Sequence, residues 1–271
     1  MTAGAADERP PEPDAPQPAA PAPWRTWCLI GAALLAVVTL LPPLGTVARR
    51  TEWVEALQFG LLAVALPALV TLGAPWRLLG LSAGDASRPA DRVAEGRRRH
   101  PELIRSIGFM ALDLAVVVAW RTPGAVHVAA AHGWATAIEA VTLLVAGVAL
   151  WLELVLSPPF APRAGHFRRA VFGAVVMWVF WILAYIVAMS THDFYANFHH
   201  TAGGLSAAAD QQIAAAVSWF VAAVSFLPVV FWNAVMWLQT EEDPDTELAS
   251  LLRAERRRGS PPGHDEGTRT A

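Results

Sequence analysis

Imidazole and carboxylate side chains gather in one short stretch of this chain. His192-Asp193 and His199-His200 share a single polar segment, and Asp210 follows soon after. These donor types suit copper or zinc, so His192, His199, His200 and Asp210 form a candidate ligand set. Glu139 joins it, and Asp113 is a further residue of interest. Each of these two carboxylates interrupts an apolar run. A carboxylate at that depth must face other protein groups, not hydrocarbon. It would then act as a metal ligand, as part of a proton relay, or as a hydrogen-bonding joint between helices. Glu139 reads as functional and Asp113 as a joint. The histidine spacings match no established ligand motif, so ligand type alone carries the metal reading, and a loop this polar is ordinarily just solvated. Cys28 is the only cysteine, which excludes an intramolecular disulfide and a Cys-x-x-Cys copper site. No P-loop, dinucleotide fingerprint, nucleophile elbow or zincin motif occurs, and the residues by themselves name no enzyme reaction.

The elements that carry these residues are long apolar blocks. The chain has 271 residues, 55% of them hydrophobic, and its mean hydropathy is +0.39. This is the composition of an all-α, polytopic membrane bundle. A helix needs about 20 apolar residues to cross the hydrocarbon core. Blocks near residues 27–47, 53–75, 103–120, 127–156, 171–190 and 211–238 meet that requirement, which predicts about six transmembrane helices, with room for a weak seventh. Pro42-Pro43 kinks or ends the first block, and Pro158-Pro159 ends the fourth. Glu55 and Glu153 lie near block ends, where a long side chain can snorkel to the interface. Residues 1–23 are Pro/Ala-rich and predict a disordered tail; 24–242 form the membrane domain, and 243–271 a charged cytoplasmic tail. The N-terminal tail, residues 1–23, lacks a basic n-region, which argues against a signal peptide.

Charge distribution sets the orientation. The cations are all arginines, concentrated in residues 77–105, 163–169 and the C-terminal tail, whereas 191–210 has none. The positive-inside rule puts both termini in the cytoplasm, with Arg49-Arg50 counting against it. The outer face then holds His127, His132, His192, His199 and His200. The formal net charge of −3 suggests no nucleic-acid partner. Asp210 stands at the start of the last block, where free N–H groups favour an acid, so it is expected to cap that helix and to face the outer loop. The many tryptophans, Trp219 and Trp237 among them, read as interface anchors and core packing.

Four segments resemble the CtaG-type cytochrome c oxidase assembly proteins. They are Pro67 with Leu72-Gly73-Ala74-Pro75; Trp120-x-x-Pro123, followed by Glu139 and by Gly147-x-x-x-Trp151; Phe194-Tyr195; and Leu205-Ser206-x-x-x-Asp210-Gln211-Gln212-x-Ala214 leading to Trp219 and Trp237. The resemblance implies a bacterial plasma-membrane protein that assists maturation of a haem–copper oxidase, by binding and not by catalysis. It also implies copper as cargo, and an oxidase subunit or a copper chaperone as partner. The family's helical histidines would fall on Glu55 and Phe59, on Arg121, and on Thr136 and Ala140 flanking Glu139. None of these positions is histidine here. A small transporter with Asp113 and Glu139 lining its path, a scaffold subunit without metal, and a haem-binding redox enzyme are the alternatives. Axial haem ligation would want facing histidines within the spans.

Overall fold

The computed structural model describes residues 23–77, 102–158, 160, 162, 164–190, 192–195, 198 and 206–241. Both terminal tails expected from composition lie outside the described residues, apart from Pro23. The described chain is helical, and its only strand-like pairing is an isolated bridge between Ser157 and Phe160. In order come α1 (Pro23–Leu40), α2 (Leu44–Ala48), α3 (Glu52–Gly60), a π-helical turn (Leu61–Ala65) and α4 (Leu66–Gly73). Next come α5 (Glu102–Trp120), α6 (Pro123–Ala131), α7 (Gly133–Leu154), α8 (His166–Met189) and α9 (Ala207–Glu241).

Among the described residues, five segments are long and apolar enough to cross a membrane: Pro23–Leu40, Glu52–Arg77, Gly133–Leu154, His166–Met189 and Ala207–Thr240. The third expected span corresponds to α5, which has 19 residues and carries Arg105 and Asp113 turned inward, 9% and 3% exposed. Pro42-Pro43 ends the first helix, one of the two expected outcomes, and the first block becomes two helices, α1 and α2. The fourth block is also two. His132 is extended, with φ −132° and ψ 119°, which divides α6 from α7.

Proline and glycine explain how the central crossing is shaped. Pro67 lacks an N–H and cannot donate to the preceding turn, and the helix widens into the π turn just before it. Gly147 of α7 lies against that site. A Cβ on Gly147 would come within 2.6 Å of Pro67 Cγ and 3.1 Å of the Ala63 carbonyl oxygen, so only glycine lets the two helices approach this closely. The crossing ends at Ala74, whose φ of 52° is left-handed.

The core sits between α3–α4, α7, α8 and α9. Trp151 stacks on Phe226 with ring centroids 5.2 Å apart, among buried Leu62, Leu143, Leu150 and Phe180. Outside, the pattern is the reverse of a soluble protein. Trp178, Tyr185, Phe220, Phe231 and Trp232 are all more than half exposed, as expected where the solvent for the outer surface is lipid. Helix α9 packs along α8 and α3, α1 along α4, and α5 along α7. The short helices α2 and α6 close one end of this bundle.

Candidate functional site

The site forms where α5 stops. Thr122 precedes Pro123 and is extended, with φ −71° and ψ 142°, because a residue before proline is pushed out of the helical region. Arg121 is therefore left at the bundle end. Its Nη1 donates to both carboxylate oxygens of Glu55, at 2.9 and 2.8 Å. The two side chains are 10% and 14% exposed. The guanidinium also lies over two aromatic faces, 4.8 Å from the Phe59 ring centroid and 5.0 Å from that of Tyr195. The Tyr195 hydroxyl donates to the Arg121 carbonyl at 3.0 Å. Burial pushes the Tyr195 phenol above its usual range, against the opposing pull of the arginine.

Asp210 takes a different role from the one its sequence position suggests. It is 1% exposed and accepts from the backbone N–H groups of Glu52, at 3.0 Å, and Trp53, at 3.1 Å. These belong to the first turn of α3. Asp210 thus satisfies free donors of a neighbouring helix, while lying in the first turn of its own. The cap of α9 is Ser206, whose hydroxyl accepts from the Ala209 N–H at 3.2 Å. The expectation that Asp210 caps α9 and faces an outer loop is corrected on both points. Two helix N-termini converge there, and the buried carboxylate of one helix caps the other.

Gln211 serves the opposite helix end. Its Nε2 donates to the carbonyls of Val187, at 2.8 Å, and Ser190, at 3.3 Å, at the end of α8. Its Oε1 accepts from the Phe194 N–H at 2.9 Å. Asp210-Gln211 therefore staples the start of α3, the end of α8 and the segment 192–195 to α9, and this segment delivers Tyr195 to Arg121.

Two more carboxylates flank the ion pair. Glu52 is 4% exposed, and its Oε1 has no hydrogen-bond partner among the described residues. Its charged neighbours are Asp210, Arg121, Glu55 and Asp193. Glu139 is 6% exposed, with Glu55 and Arg121 as its charged neighbours. It opens onto a cavity of about 20 Å³ shared with Glu55, Gln58, Arg49 and Thr136, room for about one water. A second cavity, about 60 Å³, lies on the other side of Arg121 against Phe59, Phe180, Tyr195 and Ser218.

Of the five residues expected to bind metal, His199 and His200 lie outside the described residues. His192 is exposed on the segment that ends in Tyr195. Glu139 and Asp210 are both buried, Glu139 beside Glu55 and Arg121 and Asp210 against the first turn of α3. Among the described residues, no group of three His, Cys, Asp or Glu could hold a metal ion. Arg121 and Gln211 were not singled out for chemistry in the sequence. An arginine ending one apolar block and an acid beginning another were the signal available for the pair.

Glu55 and Glu153 do not snorkel to the interface. At the far end of the bundle, Glu153 is 0% exposed and takes a two-pronged contact from Arg105, Nε to Oε1 at 3.1 Å and Nη2 to Oε2 at 3.0 Å. Ser106 donates to the same carboxylate at 2.8 Å. Arg25 adds a hydrogen bond to the Leu72 carbonyl at 2.8 Å, at the end of α4. The wide groove between α8 and α9, about 640 Å³, is lined by Trp178, Trp181, Tyr185, Gln212 and Trp219 and offers packing surface, not metal ligands.

The family model described as cytochrome c oxidase caa3 assembly factor (Caa3_CtaG) matches residues 8–240. No curated protein matches the chain. No solved structure matches it either.

Proposed function

The chain belongs to the cytochrome c oxidase caa3 assembly factor family, and we propose that it assists assembly by binding an oxidase subunit or a copper chaperone within the bacterial plasma membrane. Several apolar helices make it a membrane protein. It would act by holding its partner, not by catalysing a reaction. The observation that supports this most is the construction of the Arg121 end. Buried and half-buried hydrogen bonds tie α3, the end of α8, the start of α9 and the segment 192–195 into one corner. A preorganised surface binds with little ordering cost.

Copper insertion is the finer form of the role. We assign it to His192, His199 and His200, because Glu139 is buried beside the Arg121–Glu55 pair and Asp210 is engaged with α3. Both Asp210 oxygens already accept backbone N–H groups. Imidazole nitrogen would hold the copper cargo.

Two measurements test this reading. Removing the protein from its host should lower the amount of assembled oxidase, read from the haem absorbance of membranes, and the wild-type gene should restore it. An unchanged oxidase level would sink the assembly role. Cu(I) titration of the detergent-purified chain should show stoichiometric binding that is lost in the His192→Ala/His199→Ala/His200→Ala triple variant. Equal binding by both proteins would remove these histidines from the copper site.

A further inference from the structure

The resemblance implies histidines at the positions of Glu55 and Phe59, of Arg121, and of Thr136 and Ala140; the first three lie in two stretches of sequence. The structure brings those three side chains into direct contact. Arg121 pairs with both oxygens of Glu55 and lies over the ring of Phe59. The three departures are one chemical replacement. A set of neutral imidazoles would gather around an added metal cation, whereas here the positive charge is carried by a side chain, with a carboxylate and an aromatic face to receive it.

We propose that Arg121 is the resident cation of this cluster, and that the junction it holds together is built without a metal ion. Three observations carry this. Glu55 uses both oxygens on Arg121, and Asp210 uses both on the first turn of α3, so neither has a carboxylate face turned to a metal. The remaining acids have different surroundings. Glu52 neighbours Asp210, Arg121, Glu55 and Asp193, whereas Glu139 neighbours Glu55 and Arg121. No third donor joins either of them among the described residues. Finally, a guanidinium keeps its charge at every accessible pH. Any metal ion reaching Glu52 or Glu139 would meet a fixed like charge in a low-dielectric setting.

The positive role of the cluster is mechanical. Arg121 joins α3 to the turn between α5 and α6, and through Tyr195 to the segment 192–195. This inference goes beyond the assembly role and stands or falls separately from it. Copper carried by His192, His199 and His200 would be a separate matter from the cluster.

The test uses the full-length detergent-purified chain with His192, His199 and His200 changed to alanine, so that the cluster alone is read. Cu(I), delivered against a colorimetric Cu(I) chelator, should show no stoichiometric binding. Neither added Cu(I) nor excess chelator should shift the melting temperature. Arg121→Met should lower that temperature by roughly 10 °C, as expected for one partner of a buried pair left alone in a chain of this size. Arg121→Lys should recover part of the loss, and adding Glu55→Gln to Arg121→Met should cost much less than the two single changes summed. Stoichiometric Cu(I) binding that raises the melting temperature and disappears in Glu139→Gln would overturn the proposal. So would wild-type stability in Arg121→Met. The metal titration keeps Arg121 in place, so it decides the question even where the methionine variant does not fold.

Discussion

The bundle carries a buried arginine–glutamate pair at each end, and the two pairs are built differently. Arg105 meets Glu153 in a two-pronged contact, and Ser106 adds a third donor to the same carboxylate. The two side chains of that pair are 6% and 1% exposed. Arg121 meets Glu55 through one nitrogen only, and shares its surroundings with Glu52, Glu139 and two small cavities. That end has more acid than base among the described residues, and one of its carboxylate oxygens, Glu52 Oε1, has no hydrogen-bond partner there. A closed pair of the first kind is a structural lock. An open one of the second kind leaves groups available to respond to something else. Both kinds are costly to break, because the partner left behind is a charge out of water. They differ in what lies around them.

The largest expected effect is at the closed end. Glu153→Ala leaves Arg105 and Ser106 without their carboxylate and should destabilise the protein by about 3–5 kcal/mol. Thermal unfolding in detergent checks this, and a loss under about 1 kcal/mol would mean that the pair is no lock. Next comes the comparison of two caps. Asp210→Ala strips two buried N–H groups of their acceptor and should cost roughly 2–3 kcal/mol, while Ser206→Ala removes an exposed cap worth about 0.5–1 kcal/mol. Equal losses would return Asp210 to an ordinary cap of its own helix. The smallest stability effect should come from Glu139→Gln, within about 0.5 kcal/mol of wild type, because this carboxylate is not part of the direct pair. The same change should still weaken oxidase assembly while leaving membrane insertion intact. Normal assembly in that variant would make the open end as purely structural as the closed one.

A good deal of this was legible in the residues. The apolar blocks announced a helical membrane bundle, because crossing a membrane imposes a length and a composition that sequence displays directly. Boundaries were legible where proline acts locally, as at Pro42-Pro43, and less so at His132, which carries no strong breaking signal. Asp113 and Glu139 were expected to turn inward, and both are buried. Glu55 and Glu153 were read as interface residues, because position along a helix says nothing about which neighbour supplies a cation. Arg105 and Arg121 come from another element, and that pairing is a property of packing.

Asp210 shows the same limit most clearly. Its place at the start of α9 correctly marked a helix N-terminus, since free N–H groups favour an acid there. Which helix it caps depended on a second N-terminus, far away in the chain, arriving beside it. The sequence by itself determined the membrane class, the breaks at proline, the inward turn of the acids and the family. Only the tertiary structure decided the partners: Arg121 with Glu55, Arg105 with Glu153, Asp210 with α3, and Pro67 with Gly147. Burial follows from a residue's own chemistry, but pairing needs two residues, and their meeting is set by how the helices cross.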